Sequence, residues 1–90
     1  MNSKAAVIKE ERTRLGDLTL VYRLYDLFTD ERHAYSISIS KYDTNGSLCE
    51  YSESSDITSI KDTAERIFSL ICEGIVTPMS LDDVLYDMIP

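Results

Sequence analysis

The side chains best equipped for chemistry in this chain are one histidine, His33, two cysteines, Cys49 and Cys72, and an aspartate group at Asp82, Asp83 and Asp87. His33 follows Asp30 and Glu31, and a histidine beside carboxylates can shuttle a proton. The segment around it is a short polar turn, which suits a solvated histidine better than a catalytic one. Cys49 and Cys72 lack the paired spacing of a zinc site and would have to converge with His33 from three separate elements. Glu73 beside Cys72 opposes formation of a thiolate, so both cysteines read as reduced thiols in apolar surroundings, with no disulfide framework. Asp82 and Asp83 open a helical segment, where carboxylates favour the positive end of the helix dipole. The twelve-residue calcium loop is absent. So are a glycine-rich phosphate loop and a nucleophile elbow, and only 3 glycines are available to build such devices. The chain therefore reads as non-enzymatic, with no catalytic residue, no metal site and no cofactor.

Composition narrows the classes further. A length of 90 residues with 43% hydrophobic content supports one core. Nine Lys plus Arg against 16 Asp plus Glu give a net charge of −7, which repels nucleic-acid phosphates and anionic membrane surfaces. The opening MNSKAAVIKEER has no apolar run behind its lysine. No window approaches the roughly 20 apolar residues of a membrane span, and a cytoplasmic protein is expected.

The stretch TSIKDTAERIFSLICEG, residues 58–74, organises the remainder. Ile60, Ala64, Ile67, Phe68, Ile71 and Ile75 recur at the spacing of one helix face. Ser59 and Asp62 resemble a capping box, and Gly74 is placed for a left-handed C-terminal position. Upstream, LTLVYRLYDLF and HAYSISISKY alternate as strands, and DTNG at 43–46 predicts a type I turn with a glycine bulge leading into a third strand, SLCEYSE. The first hairpin pairs Thr29 with Arg32, Leu24 with Ile37 and Tyr22 with Ile39. The second hairpin is expected to pair Asp43 with Ser47, Lys41 with Cys49, Ile39 with Tyr51 and Ile37 with Glu53. The inner face then consists of Leu20, Tyr22, Leu24, Tyr35, Ile37, Ile39, Cys49 and Tyr51.

This predicts an α+β fold: a three-stranded antiparallel meander packed on one long helix, plus a short C-terminal helix. In that second helix Leu81, Val84, Leu85, Met88 and Ile89 share a face, after a second capping box at Ser80 and Asp83. Residues 17–90 form the domain. Residues 1–16 read either as a flexible arm or as an edge strand.

The same register places Val21, Tyr25, Leu27, Tyr42 and Leu48 on the outer sheet face, among solvated serines at 36, 38 and 40. Apolar groups there call for a cover, which the N-terminal arm, the C-terminal helix folding back or a second protein chain could supply, and in the last case they mark a contact surface. The chain thus reads as a small protein-interaction or regulatory module working through its outer sheet face or an edge strand, with a homodimer among the arrangements it suits. The alternative is a small ligand-binding domain or enzyme with a pocket between sheet and helices, lined by Tyr22, Tyr35, Tyr51 and Cys49.

The run from the serine-flanked strand through DTNG and DITS to VTPMSLDDVLYD resembles a small bacterial family of unknown function, over Leu18 to Ile89. Its most specific part is Thr77-Pro78 followed by Leu81, Asp83 and Val84. The resemblance implies an α+β fold and a bacterial cytoplasmic setting, and brings no activity or functional residue.

Overall fold

The computed structural model describes residues 4–88. Strands β1 (Lys4–Leu15), β2 (Leu18–Thr29), β3 (Arg32–Tyr42) and β4 (Leu48–Thr58) form one antiparallel sheet in chain order. Helix α1 (Lys61–Glu73), a 3-10 turn (Pro78–Ser80) and helix α2 (Leu81–Met88) follow. The sheet has four strands: the predicted three-stranded meander is extended at one edge by β1, so the first residues described are a strand and not an arm. β1 pairs with β2 along its length, with a bulge between Val7 and Lys9. Gly16, at φ +63, stands first in the two-residue link to β2, the place where a tight hairpin takes a positive φ. The alternating charges of β1 leave no apolar periodicity to count, which kept the arm and edge-strand readings both open in the sequence.

The first hairpin has the expected register, with Leu24 opposite Ile37 and Tyr22 opposite Ile39. Its turn uses Asp30 and Glu31, both at positive φ, in a position that favours Asn-Gly. The second hairpin differs. The DTNG turn closes as expected, with the Asp43 amide donating to the Ser47 carbonyl and Gly46 at φ +80. A further bulge then sets Tyr42 opposite Leu48 and Lys41 opposite Glu50, leaving Cys49 unpaired in the ladder. Beyond it Ile39 faces Ser52 and Ile37 faces Ser54, one residue away from the expected pairing. Tyr51 consequently leaves the inner face, and both it and Cys49 are exposed. The expectation assumed that apolar groups must match across the pair. At an edge strand the Lys41–Glu50 ion pair and the small serines serve instead.

The core lies between the inner sheet face and the helices. Leu20, Tyr22, Leu24, Tyr35, Ile37 and Ile39 pack with Ala64, Ile67, Phe68, Ile71 and Cys72 of α1, and with Val76, Leu81 and Leu85. Burial of each large apolar side chain contributes roughly 1.5–3 kcal/mol before conformational entropy is counted. Both ends of α1 depart from expectation. The helix starts at Lys61 with Ile60 as its N-cap and no side-chain cap bond, so the Ser59–Asp62 box does not form. The Thr58 hydroxyl accepts the Ile60 amide instead. Gly74 stays right-handed at φ −80, and Ile75 takes the left-handed position at φ 51. The Ile75 amide donates to the Cys72 carbonyl and the Val76 amide to that of Ile71, which together make a Schellman cap. Ile60 and Ile75 are exposed rather than part of the core stripe. In α2, Leu81 and Leu85 are buried, Val84 and Met88 half-buried, and Ile89 lies outside the described residues.

Candidate functional site

The described helices all pack on the inner face, which leaves the outer face of the sheet without an overlying element. Register fixes its composition row by row. Glu10, Arg23, Ser38 and Glu53 make one row, and Arg12, Val21, Ser40 and Tyr51 the next. Arg14, Thr19, Tyr42 and Leu48 lie beyond these on one side, with Val7, Tyr25 and Ser36 on the other, followed by Ala5, Leu27 and Ala34.

Of the five residues expected here, Val21 does not belong to an exposed contact surface: its accessibility is 0%. Tyr25, Leu27 and Tyr42 are half-buried, and Leu48 is 54% exposed. The serines at 36, 38 and 40 are buried as well, contrary to the solvated row expected. With no element above them, longer neighbours on the same face must supply the cover. Arg23, half-buried one place along β2 from Tyr25 on the same face, donates to the Glu10 carboxylate at 2.8 Å. That bond holds the Glu10 carboxyl below the usual carboxylate range. The Ser38 hydroxyl donates to the Tyr25 hydroxyl at 3.4 Å, and Tyr51 donates to Glu53 at 2.8 Å. Tyr51 is 49% exposed as a residue, and its hydroxyl lies along the strand at Glu53. Desolvation there, then the bond to Glu53, raises its pKa.

The result is a tiled surface of aromatic rings and guanidinium groups over a floor of serine and valine. Three arginines at 12, 14 and 23 oppose two glutamates at 10 and 53, a net of +1 in a chain of −7. The acidic excess lies elsewhere, with Asp62, Glu65, Glu73, Asp82, Asp83 and Asp87 all on the helices. Tyr51 was missed on this face because its pairing partner depends on the Cys49 bulge, which has no glycine to announce it.

Two other places bear on function. A groove of about 620 Å³ runs between β4, α1 and α2, lined by Ile57, Ile60, Thr63, Arg66, Leu70 and Met88 among others. It is not the tyrosine pocket expected between sheet and helices. Tyr22 and Tyr35 are buried in the core, and Tyr51 and Cys49 are exposed away from it. His33 pairs with Asp26, whose carboxylate oxygens lie 2.9 and 3.0 Å from Nδ1, rather than with its sequence neighbours Asp30 and Glu31. The rings of Phe28 and Tyr35 flank the imidazole at 4.6 and 6.0 Å. No nucleophile joins this pair among the bonds of the described residues, and no group of three His, Cys, Asp or Glu there could hold a metal. The thiol of Cys72 is pushed up to about 12 by burial and by the carboxylates of Glu11 and Glu73. No described helix is long and apolar enough to cross a membrane.

Over residues 2–90 the chain matches the profile of a family described as a family of unknown function (DUF6514), and it belongs to that family. No curated protein and no solved structure matches it.

Proposed function

We propose that this DUF6514 chain is a small non-enzymatic protein-interaction module that binds through its outer sheet face, around Tyr25, Leu27, Tyr42, Leu48 and Tyr51. The observation that carries the proposal is a four-stranded face that no described element covers, rich in tyrosine and almost neutral, in a strongly acidic chain. Tyrosine and arginine are the residues most enriched at protein contacts, where each offers a large rigid surface with a polar tip. The reading places the module in the cytoplasm, where the free thiols of Cys49 and Cys72 suit a reducing compartment. Capture from a lysate of the native host tests it. A partner should be retained by the parent chain and by Leu70→Glu in the helical groove, and lost with Tyr42→Glu. Equal capture by all three forms would refute the outer face as the contact surface.

A second reading rests on the groove between α1 and α2, whose volume falls in the range of small-molecule sites. There the protein would bind an apolar ligand, with Arg66 at the rim to take an acidic group. Protection of Leu70 and Met88 methyl resonances by a fatty acid, abolished in Leu70→Glu, would support that reading. Unchanged spectra would remove it.

A further inference from the structure

We infer that the outer sheet face is occupied by the same face of a second copy of this chain, related by a two-fold axis, to give a four-layer helix-sheet-sheet-helix dimer. This rests on the interaction reading above and names its partner.

Charge comes first. Two copies that each carry −7 repel one another in most orientations. The outer face is the exception, at a net of +1, and the carboxylates of α1 and α2 lie on the far side of each sheet. Stacking the outer faces keeps the acidic helices as far apart as this fold permits.

Size agrees. Four strands about 4.8 Å apart, paired over roughly 35 Å, give each copy roughly 700 Å² of projected face. A stable interface of standard size buries about 800 Å² per partner, and a corrugated face exceeds its projected area.

Shape then selects one of the two ways to stack the sheets. An axis parallel to the strands would set β1 over the partner's β4, with Glu10 against Glu53, a like-charge contact. An axis crossing the strands between the Glu10 and Arg12 rows sets each row over its neighbour instead. Glu10 then meets Arg12, Arg23 covers Val21, Ser38 meets Ser40, Glu53 meets Tyr51, Arg14 lies over Val7, Tyr25 over Thr19, and Tyr42 over Ser36. Tyr25 and Tyr42 fall on small residues, Glu53 can accept from the partner tyrosine, and Glu10 meets an opposite charge, each contact occurring twice as an isologous interface requires. The aligned packing angle of about 30° between twisted sheets preserves these matches near the axis.

Sedimentation equilibrium at micromolar concentration is the test, with far-UV circular dichroism to establish that each variant is folded. The parent chain should sediment at twice 10.2 kDa. Tyr42→Glu should be a folded monomer, and Leu70→Glu should remain a dimer. Should Tyr42→Glu fail to fold, the exposed Arg12 provides an independent arm. Arg12→Glu meets the partner's Glu10 and should weaken the dimer roughly tenfold, a change of 1.4 kcal/mol, while Arg12→Lys leaves it intact. A monomeric parent chain overturns the inference. If that monomer still captures a different protein in a Tyr42-dependent manner, the interaction reading survives without the second copy. A dimer insensitive to Tyr42→Glu and Arg12→Glu but broken by Leu70→Glu overturns both.

Discussion

Replacing Tyr22 with phenylalanine isolates the bond that ties the chain beyond α1 to the sheet. Tyr22 lies at the centre of the inner face with 0% accessibility, and its hydroxyl donates to the Val76 carbonyl at 2.8 Å, across 54 residues of sequence. Val76 comes just after the left-handed Ile75 that ends α1, so this bond fixes where the chain turns toward the 3-10 segment and α2. Phenylalanine keeps the ring and its packing, but leaves the Val76 carbonyl buried without its donor. The cost should be about 1–3 kcal/mol, a large share of the 5–15 kcal/mol typical of a domain. With a urea m-value of about 1–1.5 kcal/mol/M for a chain this small, the unfolding midpoint falls by roughly 1–2 M.

The same variant has a signature in alkali. Burial pushes the Tyr22 phenol from 10.0 up to about 12. A group whose pKa is raised on folding contributes its full stability below the unfolded value and loses it as pH rises through the folded one. The Tyr22 contribution is therefore intact below pH 10 and fades between pH 10 and about 12, amounting to about 2–3 kcal/mol. Cys72, raised from 9.0 to about 12, adds a larger loss, about 4 kcal/mol, that begins one unit lower. In Tyr22→Phe only the cysteine part should remain, and stability should fall less steeply above pH 10. Urea titrations at a series of pH values separate the two effects. An unchanged midpoint at neutral pH together with an unchanged alkaline slope would refute the tether.

Asp43→Ala should lower stability by about 1–2 kcal/mol in urea titration, because one carboxylate oxygen accepts both the Asn45 and Ser47 amides at 2.9 Å. Glu31→Gly should raise it by about 0.5–1 kcal/mol, since a side chain at φ 62 strains a turn that glycine enters freely. No change in melting temperature would mean that the Asp30–Glu31 turn is unstrained. A disulfide reagent at pH 8 should titrate one thiol per chain, the exposed Cys49, while buried Cys72 reacts only after denaturant is added. Two fast thiols under native conditions would contradict the packing of α1.

The parts of the fold that sequence made legible are those where one physical requirement dominates. Alternation in β2 and β3 defined both faces of the first hairpin, since a slip of one residue would have placed Leu24 and Ile37 in water. The helical repeat found Ala64, Ile67, Phe68 and Ile71 for the same reason. Where two requirements compete, pattern was not enough. β1 carries charges on both faces because its role is to close an edge rather than fill the core, so its sequence resembles a solvated arm. Ile75 occupies the left-handed cap although Gly74 is adjacent, because the Schellman bonds are set by where α1 stops, and that depends on packing.

The Cys49 bulge matters most for function. It uses no glycine or proline, and it moves Tyr51 from the core side to the outer face, where its hydroxyl meets Glu53 beside Ser38 and Tyr25. Without the bulge the outer face would carry two tyrosines; with it there are three, over serines too small to fill the space between them. A bulge at the rim of a sheet commonly re-aims a side chain in this way. Deleting Cys49 removes the bulged residue and leaves Lys41 opposite Glu50 and Ser40 opposite Tyr51, so Tyr51 should keep its place on the outer face. The fold would remain, since the core is built from β2, β3 and the helices, and the contact surface would keep its three rings. A folded deletion variant should therefore associate as the parent does, whereas Tyr51→Ala, at an exposed position, should weaken association. Undiminished association in Tyr51→Ala would separate Tyr51 from the interface and leave Tyr25 and Tyr42 to form it alone.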